Sequence, residues 1–274
     1  MRKSRNLTRR YRIRSRKNKK KSGGHSSLKV AILFTGRIKG YENVKDNLKN
    51  IKDKYNATVF CSLNKSKKTE YVKGFCEFMD ISDDRLNIEI PPKAPDFLRD
   101  PKMKVYHAYK EKVGNINANM RMDMMYSFFY NNDKAYTLVE KYQEANKMKF
   151  DIVLYYRADI TAKEELILIH PVKDNTIYVP EVKEGVDCHE GYGCWCDYGG
   201  LCNQVFFGNP DTMKKALSLI DSLKHICIDQ GVLFHAETLF KKHIDNNKIS
   251  VERFPYFFSL DKARHAPNPL ANEM

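Results

Sequence analysis

Five consecutive apolar residues, Val30-Ala31-Ile32-Leu33-Phe34, stop at Thr35-Gly36-Arg37. No polar residue alternates within the run, so both faces of the segment must be covered. A strand buried on two sides in a parallel sheet reads this way. Tyr41, Val44, Leu48 and Ile51 follow at helical spacing, and Thr58-Val59-Phe60-Cys61 is a second strand. The order β-α-β requires a crossover, which predicts a parallel sheet with covering helices.

The rest of the chain continues the pattern. Tyr71, Val72, Phe75, Cys76 and Met79 share a helix face, and Leu86, Ile88 and Ile90 alternate as a strand. Residues 91–105 read as loop. A long helix, or two abutting ones, is predicted over 117–147, with Met122, Met125, Phe129, Tyr136, Val139 and Tyr142 inward. Residues 152–156 form the next buried strand, and 176–179 and 205–207 are short strands. Asn209-Pro210 starts a helix over 211–224. A helix over 236–246 and a strand over 249–254 complete the list.

Charge is distributed unevenly. The 274 residues carry a net charge of +14, which on its own suggests a nucleic-acid or acidic-surface binder. Residues 1–27, however, hold twelve Lys/Arg and no acid, leaving 36 basic and 34 acidic side chains in the other 247. The chain therefore reads as a disordered basic arm, 1–27, and a nearly neutral body, 28–274. With 42% hydrophobic and 12% aromatic residues, the body can bury a core, which excludes global disorder. The arm is suited to non-specific binding of an anionic partner, with a strong salt dependence. No apolar run is long enough to span a bilayer and no secretory leader is visible, so a cytoplasmic-type compartment is expected. Lys-, Asn- and Ile-rich usage suits an AT-rich genome, such as that of a large DNA virus. Seven cysteines, an odd number, then read as free thiols rather than a disulfide framework.

Ligands of open α/β sheets bind beyond the carboxyl ends of the strands, and two strand exits there carry useful groups. Gly36 would let a phosphate approach the backbone, with Arg37 and Lys39 adding positive charge; an ordinary βα turn would use the same Gly for its own geometry. Arg157-Ala158-Asp159 follows the 152–156 strand. Asp159 is placed to hold a divalent cation and Arg157 to contact phosphate, or the two form a strand-end ion pair. Residues 187–204 read as a long loop containing Cys188, Cys194, Cys196 and Cys202. Their C-x5-C-x-C-x5-C spacing is not that of a zinc ribbon or finger, so structural zinc is not expected there. Glu237, at the start of the 236–246 helix, is either a general base or a helix-dipole residue. His235 and His243 read as surface or packing residues.

The order of these landmarks resembles a broad group of GT-A-type glycosyltransferases. Val30 to Lys39 is similar to that group's opening strand and "G-x-x-R"-like turn, and Asn56 to Cys61 to its second strand. Phe150 to Ile160 is similar to a "YD-x-V-x-x-x-R-x-D" block. Gly200 to Asn209 resembles an "N-D-Q-x-x-x-G-S" block, and Ala236 to Phe240 a "p-E-x-l-l" helix start. The likeness runs over roughly residues 28–260. It departs from the pattern at Lys39 in place of Arg, at Arg157 within the reduced D-x-D, and at Asn203 in place of Asp.

The resemblance implies a single GT-A-like, Rossmann-like α/β domain with a largely parallel central sheet. It also implies transfer of a sugar from a nucleoside-diphosphate-sugar donor to a glycan, protein or lipid acceptor. Gly36, Arg37 and Lys39 would contact nucleotide or diphosphate, and Asp159 would carry Mn²⁺ or Mg²⁺. Arg157 would touch donor sugar or phosphate, Asn203 and Gln204 would shape the sugar site, and Glu237 would be the base of an inverting enzyme. Two alternatives come from other classes: an inactive glycosyltransferase-like scaffold, and a nucleic-acid binder acting through the arm.

Overall fold

The apolar runs become the strands of one central sheet, and side-chain alternation divides them between two cores. In the computed structural model, which describes residues 28–36, 38, 41–65, 69–99, 115–181 and 200–260, β1 is Val30–Gly36, β2 Thr58–Asn64, β3 Leu86–Glu89 and β4 Ile152–Tyr156. A short β5, Ile160–Ala162, leaves the sheet, followed by β6, Thr176–Pro180, β7, Val205–Gly208, and β8, Ser250–Phe254. The sheet order is β3-β2-β1-β4-β7-β6-β8. All neighbours are parallel except β7, which runs against both β4 and β6. The protein is thus α/β with a mostly parallel seven-stranded sheet.

Val30, Ile32 and Phe34 of β1 enter one core, and Ala31 and Leu33 the other. The same split recurs at β4, with Ile152, Leu154 and Tyr156 on one side and Val153 and Tyr155 on the other. The first core lies under α1, Lys45–Lys54, and α2, Thr69–Met79. The second lies under the long α3, Asn115–Ala145, and under α4, Pro210–Leu217, α5, Leu219–Lys224, and α6, Ala236–Asn246. An aromatic chain pins the first core. Phe34 meets Phe75 and Tyr156 edge-on, while Phe207 stacks on Tyr178 at 4.9 Å and meets Phe254 at 5.1 Å. Each such pair adds about 0.5–1.5 kcal/mol beyond its buried area.

The structure changes three details of the expected elements. The helix predicted over 211–224 is two, broken at Ser218, whose hydroxyl bonds back to the Lys215 carbonyl at 3.1 Å and so competes with the helical ladder. Its start is as read: Asn209 Oδ1 accepts from Thr212 N at 2.8 Å and Pro210 opens the first turn, a favoured N-terminus. A turn of π-helix, His225–Asp229, follows α5. The antiparallel pair of β5 with β9, Phe258–Leu260, was not legible, because three-residue strands carry too little periodicity. The arm, 1–27, lies outside the described residues. No helix among those described is long and apolar enough to cross a membrane.

His243 of α6 is a packing residue, as its sequence context suggested. Its Nδ1 accepts from the Ser222 hydroxyl at 2.7 Å and its Nε2 donates to the Lys215 carbonyl at 2.6 Å. Burial drives its pKa below the ordinary 6.5, only partly opposed by the Lys215 carbonyl and the Asp221 charge. The unfolded chain therefore binds the proton first on acidification. The stability that neutral His243 contributes is intact above about pH 6.5 and is lost as pH falls through its depressed value. Melting temperature is expected to fall with acidification from about pH 6.5 toward 5, and less steeply in His243→Gln. Equal slopes for the two proteins would rule this assignment out.

Candidate active site

Three neighbouring strand ends form the site. Parallel pairing of β1 with β4 ends at Leu33 beside Tyr155. Carried two residues further, the same register places Thr35 level with Arg157. On the other flank, β4 and β7 pair to Tyr156 and Val205, after which Arg157 N donates to the Gln204 carbonyl at 3.1 Å. Gly36, Arg157 and Gln204 thus lie on consecutive strands, where the order β3-β2-β1 gives way to β4. That is the switch point at which α/β sheets bind ligands.

Gly36 sits at φ +77°, and a Cβ built there would meet nothing within 4 Å among the described residues. The backbone there is left-handed, which favours glycine. Arg37 and Lys39 lie outside the described residues.

Arg157 and Asp159 form the strand-end ion pair, one of the two readings their spacing allowed. Nε donates to Oδ1 at 2.9 Å and Nη2 to Oδ2 at 2.7 Å, with both side chains largely buried. Burial works against the guanidinium charge, but Asp159, with smaller help from Tyr155 and Glu237, more than offsets it, so the pKa is raised. A bidentate guanidinium–carboxylate pair fixes both planes, and removing one partner of such a buried pair costs about 3–5 kcal/mol. Among the described residues Nη1 has no partner.

This geometry tests the expected metal site. Each Asp159 oxygen already accepts from Arg157. Among the described residues no three His, Cys, Asp or Glu side chains cluster as metal ligands. A divalent ion needs oxygen ligands at about 2.0–2.6 Å and would lie against the guanidinium. As arranged, the described residues do not fit it.

Asn203 and Gln204 are both buried. Gln204 Oε1 is the described buried side-chain atom without a hydrogen-bond partner. Buried polar groups are nearly always paired, so an orphan acceptor at a strand end marks a place where something else donates.

Glu237 is buried in the first turn of α6, with Oε2 3.4 Å from His235 Nε2. The Leu201 amide donates to the Glu237 carbonyl at 3.0 Å. Before it, Gly200 passes so close that a Cβ would lie 2.6 Å from Glu237 Cβ and 2.9 Å from its carbonyl carbon. Gly200→Ala must therefore push the loop and α6 apart. The expected loss is about 1–3 kcal/mol, read by urea unfolding; no loss would mean that the two segments are not locked together.

The described cysteines are not all free thiols. Cys202 is disulfide-bonded, not free. A sulfur in a disulfide offers no thiolate, so zinc held by all four cysteines is excluded in this state. Cys188, Cys194 and Cys196 lie outside the described residues. Cys61, Cys76 and Cys227 are free and buried, and burial pushes the Cys227 thiol up to about 12, which leaves it inert.

Sequence reasoning missed a buried polar seam behind the site. Thr35 Oγ1 donates to Asn132 Oδ1 at 2.8 Å and accepts from the Tyr155 hydroxyl at 3.0 Å. Burial pushes Tyr155 up to about 12, despite the opposing effects of Thr35 and Arg157, so it stays a neutral donor. One residue earlier on α3, Asn131 accepts from Ser62 at 2.8 Å and donates to Asn64 Oδ1 and the Ser127 carbonyl, each at 2.7 Å. The seam ties α3 to the carboxyl ends of β1, β2 and β4. Its signal was the Asn131-Asn132 pair on an otherwise apolar helix face, where Asn carries a propensity cost.

No protein-family profile and no curated protein matches the chain. Solved structures with a similar course include core-mannan synthase A (CmsA/Ktr4) from Aspergillus fumigatus in its Mn/GDP form. Its TM-score is 0.48 and its identity 8%, over 85% of this chain and 74% of that one. The apo glycosyltransferase GlyE of Streptococcus pneumoniae TIGR4 is similar at a TM-score of 0.36 and 9% identity, over 82% of this chain and 45% of that one. The PaToxG glycosyltransferase is similar at 0.32 and 12%, over 80% and 67%. At such identities the likeness concerns the path of the backbone alone.

Proposed function

We propose that the protein is a glycosyltransferase that uses a nucleoside-diphosphate-sugar donor. The observation that carries this reading is the placing of Arg157, its Nη1 without a partner among the described residues, between left-handed Gly36 and orphaned Gln204 on three adjacent strand ends. An anionic group can approach the glycine backbone and meet a fixed cation, while a hydroxyl-rich group can donate to the amide. Arg37 and Lys39 add charge to the nucleotide side, as the sequence resemblance implies.

In this reading an acceptor hydroxyl oxygen attacks the anomeric carbon. The bond from that carbon to the diphosphate oxygen breaks, and the diphosphate leaves with the electron pair. The acceptor's proton goes to Glu237 if the configuration inverts. Asn203 and Gln204 hold the sugar, and Arg157 stabilises charge developing on the leaving group. Preorganised charge of this kind in a partly dry site is a large catalytic contribution. The resemblance's divalent ion would serve the same leaving group, but both oxygens of Asp159 are taken by Arg157.

Thermal unfolding of the full chain against a panel of UDP- and GDP-sugars tests the reading. A true donor at a hundredfold excess over its Kd should raise the melting temperature by about 5–10 °C. Binding without release of nucleoside diphosphate would identify an inactive scaffold. No shift with any donor would refute the proposal.

A further inference from the structure

We infer that the positive charge serving the leaving diphosphate is the Arg157 guanidinium itself, and that the donor binds without a divalent cation. This rests on the glycosyltransferase reading. It starts from the mismatch between the donor set and a metal: the one carboxylate of the Arg157-Ala158-Asp159 exit has both oxygens engaged by Arg157, at 2.9 and 2.7 Å. A cation drawn to Asp159 would have to displace a guanidinium that is held by two charge-assisted bonds and largely buried. Such bonds are stronger than neutral ones.

The pair does other work equally well. Asp159 holds the guanidinium plane through Nε and Nη2, leaving the Nη1 side without a partner among the described residues. Arg157 N is meanwhile fixed to the Gln204 carbonyl at 3.1 Å, so backbone and head group are both positioned. A planar, permanently charged fork suits two phosphate oxygens better than a point charge does. Asp159 is then a positioning residue, and its negative charge partly neutralises the group that it positions.

That last point gives the two roles of Asp159 opposite signs. If it carries a metal, Asp159→Asn removes a ligand, and chelator abolishes binding. If it only orients Arg157, Asp159→Asn removes a competing anion while keeping a hydrogen-bond acceptor. Diphosphate affinity should then hold or rise, and it should not respond to chelator.

The test is calorimetric titration of the full chain with UDP, GDP and pyrophosphate, in excess EDTA and in Mn²⁺. The expected result is a Kd that agrees within about threefold between the two conditions. Arg157→Gln should weaken it by about 30-fold or more, the loss typical of removing a buried charge partner. Asp159→Asn in EDTA should equal or exceed the wild type. Binding in Mn²⁺ that vanishes in EDTA overturns the inference and leaves the glycosyltransferase reading standing. Absence of binding in both conditions, together with no shift from any nucleotide sugar, overturns both. Circular dichroism on each variant separates lost binding from lost fold, and the wild-type comparison needs no variant.

Discussion

Asn131→Leu is expected to lower unfolding free energy by about 3 kcal/mol, although it makes a buried helix position more apolar. Asn131 is fully buried. Its amide oxygen takes the Ser62 hydroxyl and its amide nitrogen serves Asn64 Oδ1 and the Ser127 carbonyl. Leucine would strand the Ser62 proton and weaken the hold on Asn64. Each buried polar group left unpaired costs about 1–3 kcal/mol, more than the added methyl groups return in a site shaped for an amide. The double variant Asn131→Leu with Ser62→Ala should recover part of the loss, since removing both partners is far less harmful than removing one. Urea unfolding of the two singles and the double measures this. A loss below about 1 kcal/mol, or strictly additive variants, would show that the seam is not a coupled network.

Much of the framework was legible because long apolar runs and helical spacing carry strong periodicity. Val30–Phe34, 152–156 and the long helix over 117–147 correspond to β1, β4 and α3 within a few residues. Direction was not legible. Val205-Phe206-Phe207 reads the same whether it runs with its neighbours or against them, and β7 runs against both. The strand-end positions of the candidate residues were legible, but their partners were not. Arg157-x-Asp159 left ion pair and metal site open, because two-residue spacing at a strand exit permits either; the bidentate contact is the ion pair. Burial was equally out of reach. Only the resemblance singles out Gln204 in sequence, and only packing makes its oxygen an orphan.

Gln204→Met should move stability and donor binding in opposite directions. Gln204 is buried and its Oε1 lacks a partner, so the fold carries an unpaired acceptor worth about 1–3 kcal/mol. Methionine has a similar length and volume without the amide, and volume-conserving swaps are well tolerated. The unliganded variant should therefore be more stable than wild type, by about 1 kcal/mol. A sugar hydroxyl that donates to Oε1 in the wild type would then find no acceptor. Donor affinity should fall by about ten- to thirtyfold, the loss of one well-placed hydrogen bond in a site from which water is excluded. Residues that serve only packing do not give this pair of signs, because damage to packing lowers both quantities. Binding sites, in contrast, often hold groups that cost stability until the ligand arrives. Urea unfolding without ligand and calorimetric titration with the nucleotide sugar that gives the largest thermal shift make up the test. A less stable variant would mean that the amide is satisfied within the fold. An unchanged Kd would mean that the sugar does not reach Gln204.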